Sequence, residues 1–130
     1  MNLAKKAARE RIRQRMIERA EQYRMRTDAD GVGDAMLALF PYVDPILVVE
    51  SIVDQGENFY WVLQSPDVIS EIEIPRHRHP GVFGIHIHTI GVDEYRKKRH
   101  SRDVVDALEV AIEILLELAE GDRASRADLA

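Results

Sequence analysis

The chain of 130 residues is long enough for one compact domain with an extension, and too short for two independent cores. Its 45% hydrophobic and 32% charged residues predict a folded, soluble protein rather than a disordered chain. The absence of cysteine excludes thiol catalysis, cysteine zinc sites and disulfides. No apolar run reaches the roughly 18 residues of a membrane span, so we expect a protein that is cytoplasmic or belongs to a particle assembled in the cytoplasm.

Charge is distributed unevenly along the chain, whose net charge is −5. Residues 1–26 carry nine basic and three acidic side chains, a net charge of +6, which leaves −11 for the remainder. Apolar residues recur there at Ile12, Met16, Ala20 and Tyr23, which predicts a helix over residues 3–25 with one narrow apolar stripe. We interpret residues 1–26 as a basic helical arm that needs an anionic surface to lie on, belonging to a nucleic acid or a protein subunit.

The middle of the chain alternates short apolar runs with turn residues. A turn at 27–31, where Asp28 or Asp30 can cap a following helix, precedes a short helix predicted at 33–40. β-Branched runs then predict strands at 46–53, 59–63, 68–74 and 82–90, joined by a hairpin turn at 55–58 and a stiff connection at 75–81. The pattern predicts a four-stranded antiparallel meander.

The last helix is the clearest element of the pattern. It is predicted to begin at Ser101, a good N-cap, and to end at Gly121, with a wide apolar arc that indicates burial on more than one side. The predicted fold class is therefore α+β, with a domain over residues 27–121 in which the long C-terminal helix packs on the sheet. Residues 122–130 are predicted to form a flexible tail.

One stripe of acidic residues follows this helix from Asp103 to Glu120, and it matches the arginine-rich arm in charge. The covering surface could be the short helix, the arm in cis or in trans, or another copy of the chain. Surface ion pairs contribute only about 0 to 1 kcal/mol each, so they would select the partner while apolar contacts hold it. The residues that we expect at an oligomer interface are Ile12, Met16, Leu108, Ile112, Leu115, Glu113 and Glu117.

Histidines provide a candidate metal site. His86 and His88 are two residues apart on a predicted strand, so both imidazoles point to the same face. If Glu71 lies opposite His86, a site of two histidines and one carboxylate for a divalent metal becomes possible, whereas a shift of one residue places Ser70 there. The alternative is that these histidines lie on a solvated or interface face of the sheet.

A basic segment directly before the last helix is a candidate phosphate site. Lysine and arginine there add to the attraction that a helix N-terminus has for anions. The alternative is a solvated loop whose positive charge offsets the negative charge of the chain after residue 26. The predicted phosphate or nucleic-acid ligands are Arg96, Lys97, Lys98, Arg99 and Arg102, together with Arg9 and Arg13 of the arm.

Three functions are consistent with these patterns. The first is a non-catalytic homo-oligomeric assembly or interaction protein whose arm contacts a neighbouring subunit, with proportions typical of phage connectors and small inhibitors of bacterial enzymes. The second is a module that binds nucleic acid or nucleotide phosphate through the arm and residues 96–102. The third is a metal-dependent hydrolase built on His86, His88 and Glu71. We favour the first, with no cofactor.

Overall fold

The computed structural model describes residues 2–54, 56–75 and 85–129. Within these ranges the chain forms four helices and a four-stranded antiparallel sheet, which confirms the predicted α+β class. The helices are α1 (Leu3–Met25), α2 (Val32–Leu39), α3 (Val92–Arg96) and α4 (Arg102–Leu129). The strands are β1 (Leu47–Val53), β2 (Glu57–Ser65), β3 (Val68–Pro75) and β4 (His86–Gly91).

The sheet is the predicted meander, with strand order β1-β2-β3-β4, so β1 and β4 are its two edges. A bulge between Val48 and Glu50 interrupts the pairing of β1 with β2. Such bulges increase the local twist of a strand. Parts of three predicted features lie outside the described residues, namely position 55 of the hairpin turn, the connection at 76–81 and the start of the fourth strand at 82–84.

The sheet carries apolar residues on both faces, because alternate residues of a strand point to opposite sides. One face contributes Trp61, Leu63 and Ile69 to a core with α4. The other contributes Tyr60, Val62 and Ile72 to a second core with α2. The fold is thus a sheet between two helical layers.

Helix α1 belongs to both cores. The Asn2 side chain caps it by accepting a hydrogen bond from the Lys5 amide, at 2.7 Å. Met16 and Ala20 are buried in the core under α4, whereas Tyr23 is buried in the core under α2. Since α1 also contacts β1, it crosses that edge of the sheet. The predicted apolar stripe is therefore the buried face, while the division into arm, domain and tail stays a prediction.

The residue at the N-cap position of α2 is Gly31, and Asp28, three residues before it, supplies the side chain that binds the first amides of the helix. Asp28, one of the two predicted caps, accepts hydrogen bonds from the amides of Val32 and Gly33, at 2.9 and 3.3 Å. Gly33 lies so close to the end of α1 that a Cβ atom there would be 2.3 Å from the carbonyl oxygen of Tyr23. The approach of α2 to α1 therefore depends on this glycine.

Helix α4 begins as predicted but ends later. Ser101 accepts a hydrogen bond from the Val104 amide, at 3.3 Å, and so caps the first turn. The predicted end at Gly121 is wrong, because the helix continues to Leu129. Glycine costs about 1 kcal/mol within a helix, but alanine and arginine follow it, and extending an existing helix is far easier than starting one.

Candidate interaction site

Helices α1 and α4 lie side by side and run in the same direction. Arg9 pairs with Glu109 at 2.7 Å and with Glu113 at 2.5 Å, and Arg13 pairs with Glu117. The hydrogen bond to Glu109 is the main cause that raises the pKa of Arg9. The predicted match between the basic arm and the acidic stripe is thus realised within one chain.

This packing engages most residues that the sequence suggested for contacts with other molecules. Arg9 and Arg13, predicted to bind phosphate, are paired with glutamates, as are the predicted interface residues Glu113 and Glu117. The apolar members of the predicted interface lie in or against the chain's own core: Met16 and Leu108 are buried, and Ile12, Ile112 and Leu115 pack on them.

A groove of about 490 Å³ lies between α1 and β1, and we call it the α1–β1 groove. Its lining includes Val48, Val49, Glu50 and Ser51, four consecutive residues of β1. Consecutive strand residues point to alternate faces, so a groove that touches all four runs along the strand's edge. The groove therefore follows the side of β1 that has no neighbouring strand.

The lining of the groove includes three basic and three acidic side chains. Helix α1 contributes Arg11, Arg15 and Arg19, which are spaced by four residues and so lie on one side of the helix. The remaining lining includes the acidic side chains of Asp30, Glu50 and Asp103. A uniformly anionic polymer would be attracted by the arginines and repelled by the carboxylates, whereas a partner with charges of both signs could satisfy both.

Two of these arginines are available to a partner. Arg19 lies 4.0 Å from Asp30, but Arg11 and Arg15 are exposed and form no ion pair with any other described residue. They lie on the opposite flank of the buried stripe from Arg9 and Arg13, which face α4. Some arginines of the arm are therefore paired with glutamates of α4, whereas others line the groove.

A buried polar cluster lies behind Glu50. The hydroxyl of Tyr95, which is fully buried, donates a hydrogen bond to the Glu50 carboxylate at 2.6 Å. Nε2 of His100 donates a hydrogen bond to the backbone carbonyl of Tyr95, at 2.6 Å. The Tyr95 ring also contacts the rings of Trp61 and His100. Burial, aided by Glu50, raises the pKa of Tyr95. The cluster holds the Glu50 side chain against α3 and the start of α4.

The basic segment before α4 contributes no side chain to the lining of the groove. Arg96, Lys97, Arg99 and Arg102 are exposed, and none forms an ion pair within the described part of the chain. Lys98 differs, because its ammonium lies 5.8 Å from the centre of the Trp61 ring. The two sets of predicted phosphate ligands therefore differ, because Arg9 and Arg13 are paired with glutamates whereas the basic segment forms no ion pair within the described part of the chain.

The condition for the predicted metal site is not met. Glu71 lies opposite His88 rather than His86, and Glu73 lies opposite His86. The register places all four side chains on one face of the sheet, as two neighbouring cross-strand pairs. Within residues 2–54, 56–75 and 85–129, no group of three or more histidine, aspartate or glutamate side chains is placed to hold a metal.

The same face brings two carboxyl groups together. A hydrogen bond to Glu73 is the main cause that raises the pKa of Glu57 above its usual 4.5. Because the folded state holds this proton more tightly than the unfolded state, the interaction stabilises the fold at low pH and is lost as the pH rises through the raised pKa.

We expect Glu57→Gln to raise the free energy of unfolding at neutral pH, because the amide can donate to Glu73 without the repulsion between two carboxylates. Urea unfolding over a series of pH values measures this. The two proteins should have similar stability below pH 4.5, the usual pKa of Glu57, and should diverge above it. Glu120→Gln, at an exposed position on α4, provides the control. Equal stability at all pH values would contradict the expectation.

Sequence reasoning did not identify the α1–β1 groove, although part of its signal is present in the sequence. The spacing of Arg11, Arg15 and Arg19 separates them from the Arg9 and Arg13 pair, which a helical projection of residues 3–25 could have shown.

No helix among the described residues is long and apolar enough to cross a membrane. Comparison of the chain with protein-family models, curated proteins and solved structures found no match.

Proposed function

We propose that this protein is a non-catalytic assembly protein that associates with copies of itself through the α1–β1 groove. The observation that carries the proposal is the pair of exposed arginines, Arg11 and Arg15, in a groove whose lining also includes three acidic side chains. A two-fold dimer brings the same surface of both copies together, so the arginines of one copy can pair with the acidic side chains of the other. The proposal keeps the predicted role of the basic helix but assigns it to Arg11 and Arg15 instead of Arg9 and Arg13, which pair with α4.

Charge reversal in the groove tests this function. We expect the wild-type protein to have a mass in solution that is a multiple of 14.9 kDa, measured by size-exclusion chromatography with light scattering. The double variant Arg11→Glu/Arg15→Glu should raise the dissociation constant about tenfold or more, since a two-fold dimer repeats each contact and four attractive pairs of about 0 to 1 kcal/mol each become repulsive.

The matched control is Arg123→Glu/Arg126→Glu, which makes the same change in net charge on the exposed end of α4. It should leave the mass unchanged. A wild-type monomer at every concentration would overturn the proposal. A monomer with excess absorbance at 260 nm, removed by high salt, would favour nucleic-acid binding by the basic segment instead.

A further inference from the structure

The segment that joins α1 to α2, which we call the hinge (residues 26–31), begins with a strained residue. Arg26 has φ 57° and ψ 37°, in the left-handed region, and no other residue except glycine has a positive φ in the described part of the chain. Its amide and that of Thr27 donate to the carbonyls of Tyr23 and Gln22, at 3.1 and 3.0 Å. This is the Schellman motif, in which glycine usually occupies the left-handed position. An arginine there adds steric strain that glycine avoids.

The contacts that hold α1 on the rest of the fold do not depend on the hinge. Its ion pairs join Arg9 and Arg13 to glutamates that lie 100 or 104 positions later in the chain. Its three buried side chains lie in cores formed with α2, β1 and α4. An identical helix from a second copy would form the same contacts, so the hinge alone distinguishes the two arrangements.

The first half of α1 is the less firmly attached part of the helix. No residue of 3–15 is buried, and the apolar side chain of Leu3 is 85% exposed. Ile12 packs against the core, and the remaining attachment comes from the ion pairs of Arg9 and Arg13, whose glutamate partners are 42% to 58% exposed. Water and salt screen pairs of this kind. This half of the helix can therefore leave its place without opening the core.

We infer that two copies of the chain exchange α1, so that α1 of each copy lies on α4 and β1 of the other. The hinge then extends, Arg26 leaves the left-handed region, and each ion pair joins residues of different copies. The occupant is a second copy of α1, because the chain's own α1 already fits this surface in charge and in apolar contacts. This inference goes beyond association through the α1–β1 groove, because it needs no contact that a single chain lacks.

The length of the hinge fixes how the two copies meet. Helix α1 ends at Met25 and α2 begins at Val32, so six residues form the hinge. Extended, they span at most about 20 Å. The two hinges must therefore pass close to each other, near the two-fold axis of the dimer. Short hinges under strain favour exchange, because only the closed chain must keep the tight turn.

The absence of cysteine from the chain permits a direct test. The double variant Arg13→Cys/Glu117→Cys places two thiols where α1 and α4 pair, and it keeps both ion pairs of Arg9. After reaction with a flexible bis-maleimide, exchanged copies should run as covalent dimers on a denaturing gel, whereas a closed chain should run as a monomer. The control is Glu10→Cys/Gln14→Cys, two exposed positions one turn apart on α1, which should be linked within one chain in either arrangement.

A second pair of variants tests the hinge. Arg26→Gly removes the strain of the closed chain, so it should raise the dissociation constant of the exchanged dimer about tenfold or more, since a dimer contains two hinges. The matched control is Arg26→Ala, which removes the same charge but keeps a Cβ atom. Light scattering over a concentration series, after equilibration, measures both constants. Equal constants for the two variants would overturn the inference.

The cross-linking result also separates this inference from association through the groove. A multimer whose Arg13→Cys/Glu117→Cys chains are linked only internally would overturn the exchange and leave the groove proposal intact. Covalent dimers that still form when Arg11 and Arg15 are both replaced by glutamate would support the exchange without the groove. A wild-type monomer at every concentration would overturn both.

Discussion

Replacing Tyr95 by alanine should lower the free energy of unfolding by about 3 to 5 kcal/mol, the range for removing a buried aromatic side chain. Tyr95 is fully buried, its ring centre is 4.8 Å from that of Trp61 and 4.3 Å from that of His100, and its hydroxyl donates to Glu50. Domains of this size have a total stability of about 5 to 15 kcal/mol. The variant should therefore unfold at a much lower urea concentration than the wild-type protein.

The variant Tyr95→Phe separates the packing of the ring from the hydrogen bond of the hydroxyl. It keeps the ring contacts and removes the donor to Glu50, so it should destabilise by about 1 to 3 kcal/mol. The Glu50 side chain is 21% exposed, and partial hydration favours the lower end of that range. If Tyr95→Ala were no less stable than Tyr95→Phe, the ring would contribute nothing to the core, contrary to the structure.

Gly33→Ala should also destabilise the protein, although alanine is the better helix former. Helix propensity alone would favour alanine by about 1 kcal/mol. However, the new Cβ would lie 2.3 Å from the Tyr23 carbonyl oxygen and 2.8 Å from an Asp28 carboxylate oxygen. The backbone of α1 must then move, and such overpacking costs about 1 to 3 kcal/mol. Urea unfolding should show a net loss.

The matched control for this substitution is Gly121→Ala. Gly121 also lies within a helix, but apart from the backbone of that helix no atom comes within 4 Å of the position that a Cβ would occupy. The same change should here raise the helical content of α4 and stabilise the protein by about 0.5 to 1 kcal/mol. Opposite signs at the two glycines would show that close packing decides the outcome at Gly33. A stabilised Gly33→Ala would contradict the described approach of α2 to α1.

The spacing of apolar residues predicted most of the fold, because a helix or strand with one buried face carries its apolar residues at the period of that element. The stripe through Met16 and Tyr23 identified the buried face of α1, and Ser101 identified the start of α4. Helix α3 was missed because five residues, Val92–Arg96, are too few to show a helical period. Gly121 was misread because glycine is common both as a helix terminator and, at a modest cost, within long helices.

The candidate site was harder to predict because it depends on which residues meet across the fold. Whether Glu71 faces His86 or His88 is a matter of strand register, which a short apolar pattern leaves open. Likewise, Arg9 and Arg11 have the same chemistry in sequence, and only the position of α4 engages Arg9 and leaves Arg11 free.

The parallel pairing of the first and last helices also affects how the protein is made. Arg9 and Glu109 are 100 positions apart, so α1 completes its packing only after α4 has been synthesised. At about 5 to 20 residues per second, a ribosome adds the 28 residues of α4 over some seconds. During that interval the sheet face that bears Trp61 and Leu63 lacks its cover, so we expect nascent chains to bind chaperones until α4 emerges.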